Sequence, residues 1–156
     1  MKNRLWVALA TGFGLGYSPI APGTVGSLWG ILIVWGMQRL PTLGLYIMVM
    51  IGLVLLAIPL CTIAENRLER KDDQRIVADE FFTFPLCMTG LPFTPSVLIV
   101  AFITNRIFDI SKPPPAQQSQ NLPGGLGIVM DDVIACLYSL VINHAIYWAG
   151  LHFLSF

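Results

Sequence analysis

Charged side chains are scarce in this 156-residue chain: Asp, Glu, Lys and Arg make up 12% of it, against 55% hydrophobic residues and a mean hydropathy of +0.71. A soluble domain carries about 25% charged residues, so the composition excludes an ordinary water-soluble globule and points to a membrane protein. No sign of charge predominates. Nine basic residues balance nine acidic ones, which removes the basic field expected of a nucleic-acid-binding protein. Cysteine is too sparse for a disulfide framework or a zinc site. Cys61, Cys87 and Cys136 lie in apolar stretches, odd in number and far apart, and are expected as free, buried thiols. A secretory leader is not expected: Ala8-Leu9-Ala10 resembles a cleavage site, but only Leu5-Trp6-Val7 separates it from the basic residues before it, so the N-terminus is expected to be retained.

What is present is long uncharged sequence. Residues 5–38, 40–64, 81–105 and 133–156 contain no Asp, Glu, Lys or Arg. A spanning helix needs about 20 apolar residues to cross roughly 30 Å of hydrocarbon. Residues 43–63 and 133–154 meet that length cleanly, the second with Tyr147 and Trp148 placed as interface aromatics. The first stretch is broken by Ser18-Pro19-Ile20-Ala21-Pro22-Gly23. This predicts an amphipathic or tucked segment before Tyr17 and a short helix over residues 25–37, which turns at residues 39–42 and pairs with the next. The third stretch carries Pro85, Gly90, Pro92 and Pro95. It reads as helices over 81–91 and 94–105, each about 17 Å long, forming a shallow re-entrant or broken hairpin. Such backbone is tolerated at depth only where protein or a wet cavity covers it. The predicted fold is all-α, a single compact multi-helix membrane domain over residues 1–156.

Charge placement predicts the orientation. If the first two helices form a hairpin and the third stretch also returns, one face carries Lys2, Arg4, Arg67, Arg70, Lys71, Arg75, Arg106 and Lys112, and the other only Arg39. Cytoplasmic loops are the basic ones. That face is therefore expected to be cytoplasmic, with the last helix carrying the C-terminus across.

All nine acids fall in three blocks bordering the apolar stretches: residues 65–80, Asp109, and Asp131-Asp132. The run Glu65-Asn66-Arg67-Leu68-Glu69-Arg70-Lys71-Asp72-Asp73 alternates in sign and reads as the solvated face of a helix continuing into water. Asp79-Glu80 differs, because Ile76-Val77-Ala78 precedes it and Phe81-Phe82 follows. Asp109, between Phe108 and Ile110, and Asp131-Asp132, after Gly127-Ile128-Val129-Met130, share that apolar setting. An ionised carboxylate is costly to bury without a partner. A cation is the simplest remedy. Hard oxygen ligands from several segments suit Mg²⁺, which keeps waters and draws further ligands from a phosphate. A structural use of the same acids stays open here: Asp131 or Asp132 as a helix cap, and Asp79 or Asp109 paired with Arg75 or Arg106.

Two loops are suited to an anion beside that cation. Ala21-Pro22-Gly23-Thr24-Val25-Gly26-Ser27 leads into a helix, so its N–H groups and the Thr24 and Ser27 hydroxyls suit phosphate oxygens, although the Lys of a Walker motif is missing. Pro123-Gly124-Gly125-Leu126-Gly127 is the second. Either also reads as a plain turn. Cys61 and Arg67 stand at a Cys-x5-Arg spacing, but no glycine lies between them to open the N–H groups of a thiolate phosphatase loop. His144 and His152 have no carboxylate within a helical turn and read as packing or interface residues. Pro113-Pro114-Pro115 with Ala116-Gln117-Gln118-Ser119-Gln120-Asn121 is expected to be a polar, mobile linker.

Four blocks together resemble one family. Gly14-x-Gly16-x-x-Pro19-x-Ala21-Pro22-Gly23-Thr24-x-Gly26-Ser27-Leu28, Arg75-Ile76-Val77-x-Asp79-Glu80, Arg106-x-Phe108-Asp109-Ile110-x-Lys112-Pro113 and Gly124-Gly125-Leu126-Gly127-Ile128-x-x-Asp131-Asp132-Val133-x-Ala135 follow the order of the phosphatidylglycerophosphatase A family. The resemblance implies an all-helical, Mg²⁺-dependent phosphoric monoester hydrolase of the bacterial inner membrane that converts phosphatidylglycerophosphate to phosphatidylglycerol and phosphate. It implies that Asp79, Glu80, Asp109, Asp131 and Asp132 are the metal and acid/base carboxylates. Thr24, Ser27, Arg106 and Lys112 would meet the phosphate. Val25 departs from the family pattern where an aromatic is common, and Thr83 and Cys136 where glycine is common. The linker after Pro115 lacks basic residues.

The expected chemistry is attack on the terminal phosphate by water, with a carboxylate as base, or by an aspartate directly. The expected partners are the lipid substrate and membrane lipids, with no nucleic acid and no obligate protein partner. A small transporter or ion pathway would also place acids beside broken helices. Here the acids border the apolar stretches and leave their interiors uncharged, which favours the enzyme.

Overall fold

A computed structural model describes residues 2–70 and 73–154, with side chains over 4–70 and 73–151. Lys71, Asp72 and the side chains of Lys2 and His152, which entered the reading above, lie outside the described residues. Among those described, the regular elements are all helical: α1 (Lys2–Ala10), a 3-10 stretch (Gly12–Tyr17), α2 (Pro22–Met37), α3 (Leu43–Leu68), α4 (Ala78–Cys87), α5 (Pro95–Ser111), the short α6 (Ala116–Ser119) and α7 (Gly125–Leu154).

The ends follow from local chemistry. α2 starts three residues earlier than expected, because Pro22 occupies its first turn, where no N–H is needed. Thr42 and Thr94 cap α3 and α5, their hydroxyls accepting from the N–H groups of Leu45 (3.2 Å) and Val97 (3.4 Å). Glu69 and Lys112, both in the left-handed region, end α3 and α5. In the second case Pro113 forbids further helix. Helix α3 thus covers the alternating charged run as far as Leu68. Asp73, expected on a solvated face, is 3% exposed and gripped by Arg75.

Two helices, α3 and Gly125–Leu151 of α7, are long and apolar enough to cross a membrane. Only 28% of the α3 window is buried, so this is no core helix of a soluble protein. Outward-facing Met48, Ile51 and Leu55 on α3, Ile99, Ile103 and Ile107 on α5, and Val141 and Trp148 on α7 form the apolar surface that a bilayer would cover.

Packing corrects two expectations. α2 and α3 are joined by the predicted turn but do not pair along their lengths; α4 lies between them and packs on both, and on α7. Glycines make the close approach possible: a Cβ at Gly26 would stand 2.5 Å from Val77, and one at Gly30 2.6 Å from Phe84. The third stretch is not a shallow pair of half-depth helices either. α5 runs 17 residues, on through Arg106 to Ser111, and packs chiefly on α7. The segment after α4 reaches the level of the α2–α3 turn, where Gln38 Nε2 donates to the Leu91 carbonyl (3.2 Å). The broken hairpin is real, but its halves are unequal. His144 packs as expected, with Nε2 3.0 Å from the Thr89 carbonyl oxygen, and the three cysteines are free and buried.

Candidate active site

Because α2, α4 and α7 begin where α3 and α5 end, five helix termini meet at one end of the bundle. They enclose a cavity of about 450 Å³. Its walls are residues 21–24 at the start of α2, Arg70, Gln74 and Ile76 from the α3–α4 loop, Asp79 and Glu80 in the first turn of α4, Arg106, Asp109 and Ile110 in the last turns of α5, Lys112, and Asp131 and Asp132 in α7. Eight of the nine candidate side chains read from the sequence line this one space.

Ser27 is the exception. It is fully buried behind Glu80, its Oγ donating to the Gly23 carbonyl (2.9 Å) and lying 3.4 Å from Glu80 Oε2. Its place is behind the carboxylate, away from the cavity. Gly23 explains how Glu80 reaches this position, since a Cβ there would overlap the carboxylate. The N-terminus of α2 therefore meets an acid of the protein's own, at the positive end of its dipole. The second glycine loop does not face the cavity. Gly125 lies against α3, where a Cβ would overlap the Ile58 carbonyl oxygen, and its N–H donates to Thr62 Oγ1 (2.9 Å).

The acids are held in different ways. Asp131 and Asp132 sit in the second turn of α7, too far along it to cap it. Asp131 Oδ2 accepts from Lys112 Nζ and from Gln120 Nε2 (2.9 Å), while its Oδ1 accepts from the Asp132 N–H (3.1 Å). Arg106 Nη1 stands 3.2 Å from Asp109 Oδ2 and 3.5 Å from Glu80 Oε1. The pairing of Asp109 with Arg106 allowed above is present. Arg75 instead serves Asp73, with Nε 2.8 Å from Oδ1 and Nη2 2.7 Å from Oδ2. Asp79 is fixed through its backbone, whose carbonyl accepts from Thr83 Oγ1 (2.7 Å).

Among the described residues, five carboxylates thus share the cavity with three cations, Arg70, Arg106 and Lys112. Burial pushes the Glu80 carboxyl above its usual range, Arg106 pulls it back, and the charge of Asp109 pushes it up again. At Lys112, burial works against the ammonium, but the Asp131 hydrogen bond and the charges of Asp131, Asp109 and Asp132 together outweigh it and push its pKa up. Two features ask for ligands. Asp132 Oδ2 is buried with no hydrogen-bond partner among the described residues, and so are Nε and Nη2 of Arg106.

Mg²⁺ fits this donor set in type: hard carboxylate oxygens that outnumber the cations among the described residues, and an unmatched oxygen on Asp132. Among the described residues, no three acidic, histidine or cysteine side chains already stand at metal-binding geometry. The fit is that of an ion taking few protein ligands and completing its shell with water and phosphate.

Sequence reading missed several contributors. Gln120 belongs to the linker expected to be mobile, yet that segment folds back on α7, with Ala116 buried and Tyr138 Oη donating to the Pro114 carbonyl (2.7 Å). Asn105, buried beside Arg106, accepts from Cys136 Sγ (3.1 Å). The polar residue ending an apolar stretch was the available signal. The departures at Thr83 and Cys136 are absorbed, the hydroxyl bonding its own helix and the thiol bonding Asn105.

Comparison with known proteins gives a consistent answer. The family model described as phosphatidylglycerophosphatase A matches residues 8–147. The chain is 36% identical over 158 residues to the phosphatidylglycerophosphatase A of Escherichia coli, covering 97% of this chain and 90% of the relative. It is 36% identical over 145 residues to that of Haemophilus influenzae, covering 90% and 88%. A Bacteroides thetaiotaomicron protein named as a candidate phosphatidylinositol-3-phosphatase is 34% identical over 148 residues, covering 91% and 93%. No solved structure matches.

Proposed function

The chain belongs to the phosphatidylglycerophosphatase A family and is a phosphoric monoester hydrolase; from that premise we propose that it hydrolyses phosphatidylglycerophosphate with Mg²⁺ in the cavity at the α2, α4, α5 and α7 termini. The observation that carries this reading is the meeting of Asp79, Glu80, Asp109, Asp131 and Asp132 with Arg106 and Lys112 around one space.

Some of the five carboxylates would hold the cation, Asp132 through its unmatched oxygen, and the others would stay outside its shell. When bound, Mg²⁺ supplies Lewis-acid stabilisation of phosphoryl oxygens and makes water more acidic. Arg106, whose guanidinium borders the cavity and offers a fork of N–H donors, would bind phosphoryl oxygens. Lys112 and the Thr24 hydroxyl neutralise and orient the remaining oxygens. A carboxylate outside the metal shell takes a proton from the attacking water. The water oxygen bonds to phosphorus, the ester P–O bond breaks, and the glycerol oxygen leaves with a proton. The acyl chains remain in the bilayer while the head group reaches the helix ends.

We further place the protein as a multi-pass component of the bacterial inner membrane with this cavity at the cytoplasmic face. Supporting this, Arg70, Arg106 and Lys112 line the cavity, whereas Arg39 sits at the opposite turn, stacked 3.7 Å over the Trp35 ring. The transporter reading has no comparable support, since the family is one of hydrolases.

The test is phosphate release from phosphatidylglycerophosphate by purified protein in detergent. Chelation should stop it and Mg²⁺ restore it, and Asp79→Asn, Asp109→Asn and Asp131→Asn should each abolish it in folded protein. Mg²⁺ should also raise the Tm of the wild type and leave that of Asp132→Asn unmoved. Wild-type rates in all three Asn variants would overturn the site.

A further inference from the structure

We propose that Arg70 binds the second phosphate of the substrate, the diester joining head group to diacylglycerol, and thereby selects lipids that carry both a diester and a distal monoester over lipids with a monoester alone. This rests on the phosphatase reading and deepens it.

Three cations border the cavity, and two are committed to acids: Arg106 to Glu80 and Asp109, and Lys112 to Asp131. Arg70 makes no ion pair among the described residues. It stands just past the left-handed Glu69 that ends α3 and is exposed. It is also the one residue shared by the walls of the monoester cavity and of a neighbouring polar cleft of about 420 Å³. The rest of that cleft is formed by Glu65, Asn66, Glu69, Asn121 and residues 122–124, with no other cation among the described residues. Residues 113–123, which close the same side, carry no charge at all.

Among the described residues, an anion set one glycerol unit away from the monoester therefore has Arg70 as the cation to meet. The monoester itself requires Arg106 and Lys112 deeper in the cavity, so Arg70 is spare in the chemistry and well placed beyond it. A guanidinium is suited to a diester phosphate, offering two parallel N–H donors at the membrane interface, where the phosphodiester must lie if the acyl chains stay in the bilayer. The Asn66 and Asn121 amides and the acids beside them suit the hydroxyl of the intervening glycerol.

The experiment compares wild type, Arg70→Gln and Arg70→Lys on phosphatidylglycerophosphate and on phosphatidic acid, each in neutral-detergent micelles. For phosphatidylglycerophosphate, Arg70→Gln should raise KM by roughly ten- to a hundredfold with kcat little changed, as expected for a charge-assisted contact made equally in ground and transition states. Phosphatidic acid kinetics should not change, and Arg70→Lys should recover part of the loss. An equal loss on both lipids, or none on either, would overturn the role of Arg70. A wild type that releases phosphate from neither lipid would instead overturn the phosphatase reading on which it rests.

Discussion

Glu80 lies so close to the backbone of Gly23 that any side chain at residue 23 would occupy the space of its carboxylate. The first turn of α2 and the first turn of α4 are thereby locked together at the mouth of the cavity, with Ser27 behind the acid. Gly23→Ala is expected to displace Glu80 and lower kcat by about 100-fold or more, since small misplacements of reacting groups carry costs of that order. Gly36, on the same helix, has open space around its Cα. Gly36→Ala should keep full activity and gain up to about 1 kcal/mol of helix stability. Phosphate-release assays and Tm measurements on the two variants separate a site effect from a helix effect.

Asp131 depends on a residue from the linker. Gln120 and Lys112 both donate to its Oδ2. Gln120→Leu leaves the lysine in place and should lower turnover about tenfold, the usual scale for losing an outer partner of a metal-binding carboxylate, with Tm nearly unchanged. Wild-type kcat in that variant would show that Lys112 alone suffices to hold Asp131.

The loop leading into α4 should be acid-sensitive. Arg75 holds the Asp73 carboxyl below its usual range, with burial opposing. The folded value is depressed, so the stabilisation is complete above the unfolded value of about 4 and is lost as pH falls through the folded one. Asp73→Asn should cost about 0.5–1.5 kcal/mol at pH 7, the net scale of a hydrogen bond, since the exposed Arg75 is screened by solvent. The Tm gap between wild type and variant should close as pH falls below about 4, which a pH series of thermal melts in detergent would read.

Far from the cavity, Asn143 ties three elements together. Its Nδ2 donates to the Cys87 carbonyl (3.0 Å), and its Oδ1 accepts from Thr104 Oγ1 (2.7 Å). Asn143→Leu should lower stability by about 0.6–1.7 kcal/mol, the measured scale for hydrogen bonds between membrane helices, and leave kcat intact. An equal fall in turnover would mean that α7 transmits strain to Asp131 and Asp132.

Much of this was legible along the chain. Uncharged stretches located α3 and α7, and the break at residues 18–23 located the start of α2 to within three residues. Three acidic blocks beside apolar sequence marked the cavity, because burial of an acid demands a partner wherever it occurs. Other features were hidden. α5 continues through Arg106 and Asp109 although an apolar-stretch reading stops it at Asn105, because the two charges pair on its inner face. The linker read as mobile from its prolines and amides, yet Ala116, Tyr138 and Gln120 dock it on α7. Ser27 read as a phosphate ligand by its place in a glycine loop. The turn of the helix put it behind Glu80.

The order of residues alone determined that this chain makes apolar helices broken at prolines, and that its acids collect at their ends, since hydropathy and backbone sterics act on neighbours. Only the tertiary structure decided that α4 separates α2 from α3, which acid meets which cation, and which edges of Arg106 and Asp132 stay unmatched. Those outcomes depend on interhelical distances of a few ångströms, set where a glycine such as Gly23 or Gly26 lets two backbones close, and no single segment encodes such a distance.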